Sequence, residues 1–405
     1  MRWIMLGLLA VAGGLAYQVL DSGEGAARTA GPSVKPQPQV VAAGDSYFLA
    51  LDRRGRVFGW GGAARGWSDS QLLSQSRRPR LLLDGEGYTQ VSAGSQAIYA
   101  LHSSGTLWRW GMGDVQDAAA ANALPKPLPV GPDQRWKRLI ETWGVGVGIR
   151  ADGSLWYWQD DDLEEQARLQ PVVLTLRAPR RLMPGTRFVD ACLQGPRLHA
   201  IDDAGRLWRT LDLHGRAGGK GPFQGERTGM QALSAPARLQ HVYCRGNAGQ
   251  VLALDEDGRL HGYGFSSFGE LGVGEPDRAG DPGDLNTGEL QPIPGGPWAT
   301  AAVSHSFSLA IARDGSLWGW GRNMDQELGL GDDTRSSAYE PVLADDSRRW
   351  LAVAAMYGTG LALAESGELF AWGGNGNGAL GDGGVARTHD RPTAVLTDER
   401  FGAFP

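Results

Sequence analysis

Ile311-Ala312-Arg313-Asp314-Gly315-Ser316-Leu317-Trp318-Gly319-Trp320 is one of seven variants of a single motif. The others run from Leu51 to Trp60, Leu101 to Trp110, Ile149 to Trp158, Ile201 to Thr210, Leu254 to Tyr263 and Leu363 to Trp372. Each turns on one glycine: Gly55, Gly105, Gly153, Gly205, Gly258, Gly315 and Gly367, spaced 50, 48, 52, 53, 57 and 52 residues apart. A period near fifty is the signature of one supersecondary unit repeated in an array.

Within a unit the pattern is β throughout. A small, apolar run such as Val41 to Leu51, Ala301 to Ile311 or Val353 to Leu363 breaks in its middle, as at Gly44-Asp45-Ser46, and reads as strand, turn, strand. The turn at the pivot is Asp-Gly in three units, which favours a tight hairpin because it demands positive φ. The strand after it is apolar–aromatic–x–aromatic, as in Leu155-Trp156-Tyr157-Trp158. A polar stretch then leads to a fourth strand expected to start at Pro79, Pro125, Pro171, Pro236, Pro292, Pro341 and Pro392, at a sheet edge where a missing N–H is harmless. The fifth residue before each pivot is always Ala or Gly, which suits strands crowding toward a shared axis. Four short strands per unit and seven units predict an all-β, seven-bladed propeller of four-stranded blades over residues 38–405.

Twelve of the fourteen aromatic slots hold Phe, Tyr or Trp, the exceptions being His261 and Thr210. Each buried ring stabilises by roughly 4–6 kcal/mol gross, from ~150–250 Å² at ~25 cal/mol per Å². They are expected to pack blade against blade. A second aromatic leads each inner strand: Tyr88, Trp136, Phe188, Trp298 and Trp350. The first unit has Pro38 at that place, while the C-terminal segment begins an eighth unit and stops. Phe401 is therefore expected to fill the vacant slot, so that the N- and C-terminal segments share a blade and no open edge remains.

The 405 residues include 61 glycines and carry a formal charge of −6. With no basic stripe, nucleic acid is not an expected partner. Residues 1–20 combine Arg2 with an apolar run and read as a signal peptide or membrane anchor. Residues 21–37 read as a flexible linker. An exported protein is expected on that reading: periplasmic, secreted, or held at the membrane only through an uncleaved N-terminal segment. Cys192 and Cys244 lie in inner strands of adjacent units, one residue out of register. Strand alternation then predicts opposite faces and two free thiols.

Units five to seven add a glycine-rich tail: Tyr263-Gly264-Phe265-Ser266-Ser267-Phe268-Gly269-Glu270-Leu271-Gly272, with counterparts from Trp320 to Gly329 and from Trp372 to Gly381. Together with the Asp-Gly-x-Leu-Trp turn this resembles the regulator-of-chromosome-condensation repeat family. Units one to four lack the tail, and units three and four have Gln159 and Leu211 in place of its first glycine. The resemblance implies a seven-bladed propeller but no single function, since that family includes a chromatin-bound nucleotide exchange factor for a small GTPase, ubiquitin-ligase modules and secreted bacterial inhibitors of β-lactamase. An exported, acidic chain is unlike the chromatin-bound branch.

Catalytic patterns are missing from the sequence. The seven histidines show no metal-ligand spacing, Gly374 to Gly378 opens no helix, and Asp284 to Glu289 lacks the glycine and final acid of a calcium loop. Neither cofactor nor metal is expected. The inner hairpin tips should gather at one end of the central channel, bringing Asp45, Tyr47, Gln96, Trp143, Arg197, Asn247, His305, Phe307 and Tyr357 to a rim, with Trp67 on a neighbouring loop beside Arg65, Arg77 and Arg78. Aromatic and Arg side chains on a rigid rim suit protein anchors. The expectation is a monomeric, non-catalytic scaffold that presents loops of one face to a protein partner. A carbohydrate- or peptidoglycan-binding module that uses the aromatic rim is the alternative; an exchange factor or an enzyme ranks below both.

Overall fold

The computed structural model describes residues 39–402 apart from 63–75, 95–96, 112–127, 131–134, 143–144, 160–178, 196, 211–229, 247, 276–284 and 385. Strands form seven antiparallel sheets of four, each ordered as in the chain. The inner strands, Val41–Ala43, Tyr88–Ala93, Trp136–Thr142, Phe188–Gln194, Leu239–Tyr243, Trp298–Val303 and Trp350–Met356, each touch the next, and the last touches the first. This is a closed seven-bladed propeller.

The pivot hairpins explain the period. All seven pivot glycines adopt φ between +75° and +89°, where any other residue would be strained. Each pivot carbonyl accepts a bond from the lead residue of the following blade: Tyr88 on Gly55 (3.2 Å), Trp136 on Gly105 (3.0 Å), Phe188 on Gly153 (2.7 Å), Leu239 on Gly205 (3.0 Å), Trp298 on Gly258 (2.7 Å) and Trp350 on Gly315 (2.9 Å). The seventh bond comes from the Phe401 amide to Gly367 at 2.8 Å. Phe401 also bridges Asp52 and is buried edge-on against Phe58, with ring centroids 5.5 Å apart. The C-terminal segment thus supplies the first blade's missing lead aromatic, as the repeat pattern requires.

The two aromatic slots differ in role. At the second slot Trp60, Trp158, Trp320 and Trp372 are fully buried. The Trp320 indole donates to Glu270 O (3.0 Å), Trp372 to Glu327 O (2.8 Å) and Trp60 to Ala379 O (2.9 Å), in each case on the tail of the preceding blade. These tails are what the Gly-x-Leu-Gly sequence builds: a backbone carbonyl held under the next blade's indole. At the first slot the tryptophans are half-buried and pinned to the pivot turn instead. Trp156 and Trp318 donate to Ser154 and Ser316, and Trp208 donates to Asp202.

Several expectations need correction. At Gly148, one of the small residues before a pivot, the close approach comes from rings: a Cβ there would lie 2.5 Å from the Trp136 ring and 3.2 Å from Trp158. The outer strands do not begin at proline. Ser76–Leu83, Ser337–Asp345 and Thr388–Ala394 carry Pro79, Pro341 and Pro392 inside them, at the register shift where the edge strand bulges, and Leu285–Pro292 ends on its proline. In blade 4 the strand Met230–Leu233 precedes Pro236, while Pro125 and Pro171 lie outside the described residues.

Cys192 and Cys244 are joined in a disulfide, with Cα atoms 5.7 Å apart, and are not free. The one-residue offset is real, but it has the opposite meaning. Neighbouring blades meet through opposite faces of their sheets, so an offset of one turns Cys192 toward blade 5 and Cys244 back toward blade 4. Both pack in the hydrophobic cluster shared by those blades.

Candidate functional site

Inner hairpin tips and the loops after the third strands occupy the same end of the ring, because strands alternate in direction. Of the rim residues expected there, His305, Tyr357 and Arg197 are exposed and Asp45 is half-buried. His305 and Tyr357, on adjacent blades, stack with centroids 5.6 Å apart and planes 29° apart. Tyr357 remains 48% exposed, so this ring pair presents a flat aromatic surface to solvent. Partial burial raises the Tyr357 phenol pKa, with the Asp45 charge adding to the rise and Arg245 opposing it.

Tyr47 and Phe307 belong to the core. Both are fully buried, each as the first residue of a second strand, and the Tyr47 hydroxyl donates to Gly94 O of the next blade at 2.7 Å. Gln96, Trp143, Asn247 and Trp67 lie outside the described residues. Arg77 is on the outer strand of blade 1, where its carbonyl accepts from Gly383 of blade 7. The glycine run after Gly374 forms one 3-10 turn, Gly376–Gly378, closed by Asn375 through bonds to Leu380 N and Ala386 O.

Sequence reasoning missed Arg245. It follows Cys244 in the tip of blade 5 and crosses the channel mouth. Nη1 donates to Ala43 O of blade 1 (3.0 Å) and Ala355 O of blade 7 (2.9 Å), and Nη2 donates to Gly44 O. Asp45 Oδ1 stands 3.9 Å away. Burial lowers the Arg245 pKa, with the Asp45 charge acting in the other direction. A planar fork with several fixed donors suits this reach; a lysine would not span it. The sequence signal was present: blade 5 puts Arg245 where blades 1 and 2 have Gly44 and Gly94, in a longer tip.

Behind Arg245 is a cavity of about 220 Å³ lined by the inner strands of all seven blades, among them Ala42, Ser92, Ile140, Leu193, Ala302 and Ala354. Gln39 crosses the same channel, donating to Leu139 O of blade 3 and accepting from Val91 N of blade 2. One buried carboxylate, Asp190, ties three blades together. It pairs with Arg138 and with His241 Nδ1 (3.1 Å), and accepts from the amides of Ala191 (2.7 Å) and Val242 (3.1 Å). Its lone pairs are fully engaged, which suits positioning and leaves nothing to abstract a proton. Among the described residues no group of three His, Cys, Asp or Glu could hold a metal ion, and no helix is long and apolar enough to cross a membrane.

Seven four-stranded blades close into one ring, with the inner hairpin tips and the loops after the third strands gathered at one end. The Regulator of chromosome condensation (RCC1) repeat matches residues 314–363, from the pivot turn of blade 6 into the second strand of blade 7. The chain thus carries a match to this repeat within a seven-bladed propeller. It is 25% identical over 370 residues to the ultraviolet-B receptor UVR8 of Arabidopsis thaliana, covering 85% of this chain and 78% of that one. It is 23% identical over 316 residues to human E3 ubiquitin-protein ligase HERC2, covering 76% of this chain but 6% of HERC2. Among solved structures, Prp20p of Saccharomyces cerevisiae, described with binding properties to Gsp1p and histones, superposes with a TM-score of 0.65 at 18% identity, covering 87% of this chain and 88% of that chain.

Proposed function

We propose that this chain is a non-catalytic protein-interaction scaffold that presents the hairpin-tip face of its propeller to a protein partner. The observation that carries the reading is the exposed His305–Tyr357 stack. Two rings from separate blades hold each other in place on a frame that is otherwise buried. They therefore offer apolar area at little entropic cost, which is how interface anchors work. Asp45, whose charge acts on the Tyr357 phenol, supplies charge beside them. Binding of protein partners by RCC1-like relatives such as Prp20p is consistent with this use of the fold. The propeller acts as a monomer, outside the cytoplasm, behind an N-terminal segment of 1–20 and a linker of 21–37, residues that lie outside the described structure.

The test is site-specific photo-crosslinking in the native cell, with the crosslinker at Tyr357 and, as a control, at Arg313 on the pivot-turn end. A discrete adduct from position 357, lost when His305 is replaced by alanine, supports the reading. Adducts only from position 313, or none from either end, overturn it.

A further inference from the structure

The blades are fastened to each other in two different ways. At the seams 5/6, 6/7 and 7/1 a buried indole donates to a carbonyl of the preceding blade, at 3.0, 2.8 and 2.9 Å. At seam 2/3 the Trp158 indole reaches the Tyr99 hydroxyl at 3.3 Å. The seam between blades 4 and 5 has no indole of this kind among the described residues. Blade 5 is led by Leu239 where the other six are led by an aromatic, and its second slot holds Tyr263. That ring ends on buried His199 of blade 4. Beside a hydrophobic cluster shared by the two blades, the seam is held by polar bonds: Gln194 donates to Ala248 O and Gly249 O, and Asp190 holds His241 and the Val242 amide. Such bonds replace bonds to water, so each adds little net hold.

The Cys192–Cys244 disulfide stands at this seam. Both cysteines line the central cavity, which touches every blade. Arg245, which ties blade 5 to blades 1 and 7, is bonded directly to Cys244 in the chain. The disulfide thus anchors the base of the residue that closes the channel mouth.

We infer that Cys192–Cys244 is a redox-controlled fastening of the blade 4–blade 5 seam and that the ring is complete only in an oxidising compartment. On closing, the two thiols lose two protons and two electrons to a dithiol–disulfide carrier in its oxidised form, and the Sγ–Sγ bond forms as the carrier becomes a dithiol. On opening, a dithiol reductant gives back both electrons and leaves as its own disulfide. Once the bond is open, blade 5 separates first from blade 4 and Arg245 loses its fixed base. The inference does not depend on which face binds a partner.

The test uses the purified full chain, with and without a phosphine reductant, read by thermal unfolding and by amide hydrogen exchange. Reduction is expected to lower Tm by roughly 5 °C or more. Protection should fall in Phe188–Gln194 and Leu239–Tyr243 while Trp298–Val303 and Trp350–Met356 keep theirs. A Cys192→Ala/Cys244→Ala chain should match the reduced protein and ignore the reductant; if it fails to fold, reduction of the folded wild type still gives the answer. A Trp372→Phe chain should lose the same Tm on reduction as wild type. The inference is overturned if reduction shifts Tm by less than about 1 °C, if protection falls evenly around the ring, or if both cysteines of the untreated, folded protein react with a thiol label.

Discussion

Trp60 of blade 1 donates its indole N–H to the carbonyl of Ala379 in blade 7 at 2.9 Å, across 319 residues of sequence. The same geometry recurs at Trp320 and Trp372 with partners in the preceding blade, so the closing seam is built like the seams inside the ring. Trp372→Phe keeps an aromatic ring but removes the donor and leaves a smaller side chain in a fully buried site. It strands the Glu327 carbonyl and should cost about 1–3 kcal/mol in a denaturant midpoint.

Phe401→Ala should be more severe. Phe401 is 1% exposed and faces Phe58, so the change opens a cavity where the two ends of the chain meet. A loss of about 3–5 kcal/mol is expected by chemical denaturation, and removal of residues 391–405 should lower the melting temperature further.

His199 gives the fold an acid-side limit. Burial, with the nearby Arg209 and Arg197 charges, holds its pKa down to about 3 from an ordinary 6.5. Gln194 donates through Nε2 to two carbonyls, so its Oε1 accepts from His199 Nε2–H, and the other ring nitrogen accepts from the Tyr263 hydroxyl. The folded ring is thus neutral while the unfolded chain binds a proton below pH 6.5. Stability contributed by this site is full above about pH 6.5 and is lost progressively as pH falls toward 3, by on the order of 4 kcal/mol. His199→Gln should flatten that part of the stability–pH curve, as measured by urea unfolding at a series of pH values.

Arg245→Met removes donors to three carbonyls at the channel mouth and should destabilise by roughly 1–3 kcal/mol. Arg245→Lys should recover less than half of the loss, since one ammonium cannot reach Ala43, Gly44 and Ala355 together. Thermal unfolding of the two variants side by side checks this.

At the rim the opposite pattern is expected. His305→Ala with Tyr357→Ala should change stability by less than about 0.5 kcal/mol because both side chains face solvent. Recovery of the partner in a pull-down with the purified double variant should fall at least tenfold. Unfolding of the double variant would assign the pair to the core.

The architecture was legible because its determinants are local and repeated. Seven glycines at one turn position, seven small residues before them and a vacant lead slot matched by Phe401 fix blade number and closure without any distant contact. The rim was less legible. Phe307 sits two residues from exposed His305 and Tyr47 two from half-buried Asp45, and only the start of the second strand decides that they turn inward. Arg245 was hidden because its partners are backbone carbonyls of blades 1 and 7, which leave no mark on side-chain identity. The disulfide was misread because alternation was applied as though the two strands shared one sheet.

Tail-to-head closure also constrains how the molecule comes into being. A nascent chain can stack its early blades as they emerge, but the first of them keeps an unpaired flank until residues near 401 arrive. Half-made rings therefore expose a sticky edge for nearly the whole of synthesis, and the contacts of the closing seam form only at the finish.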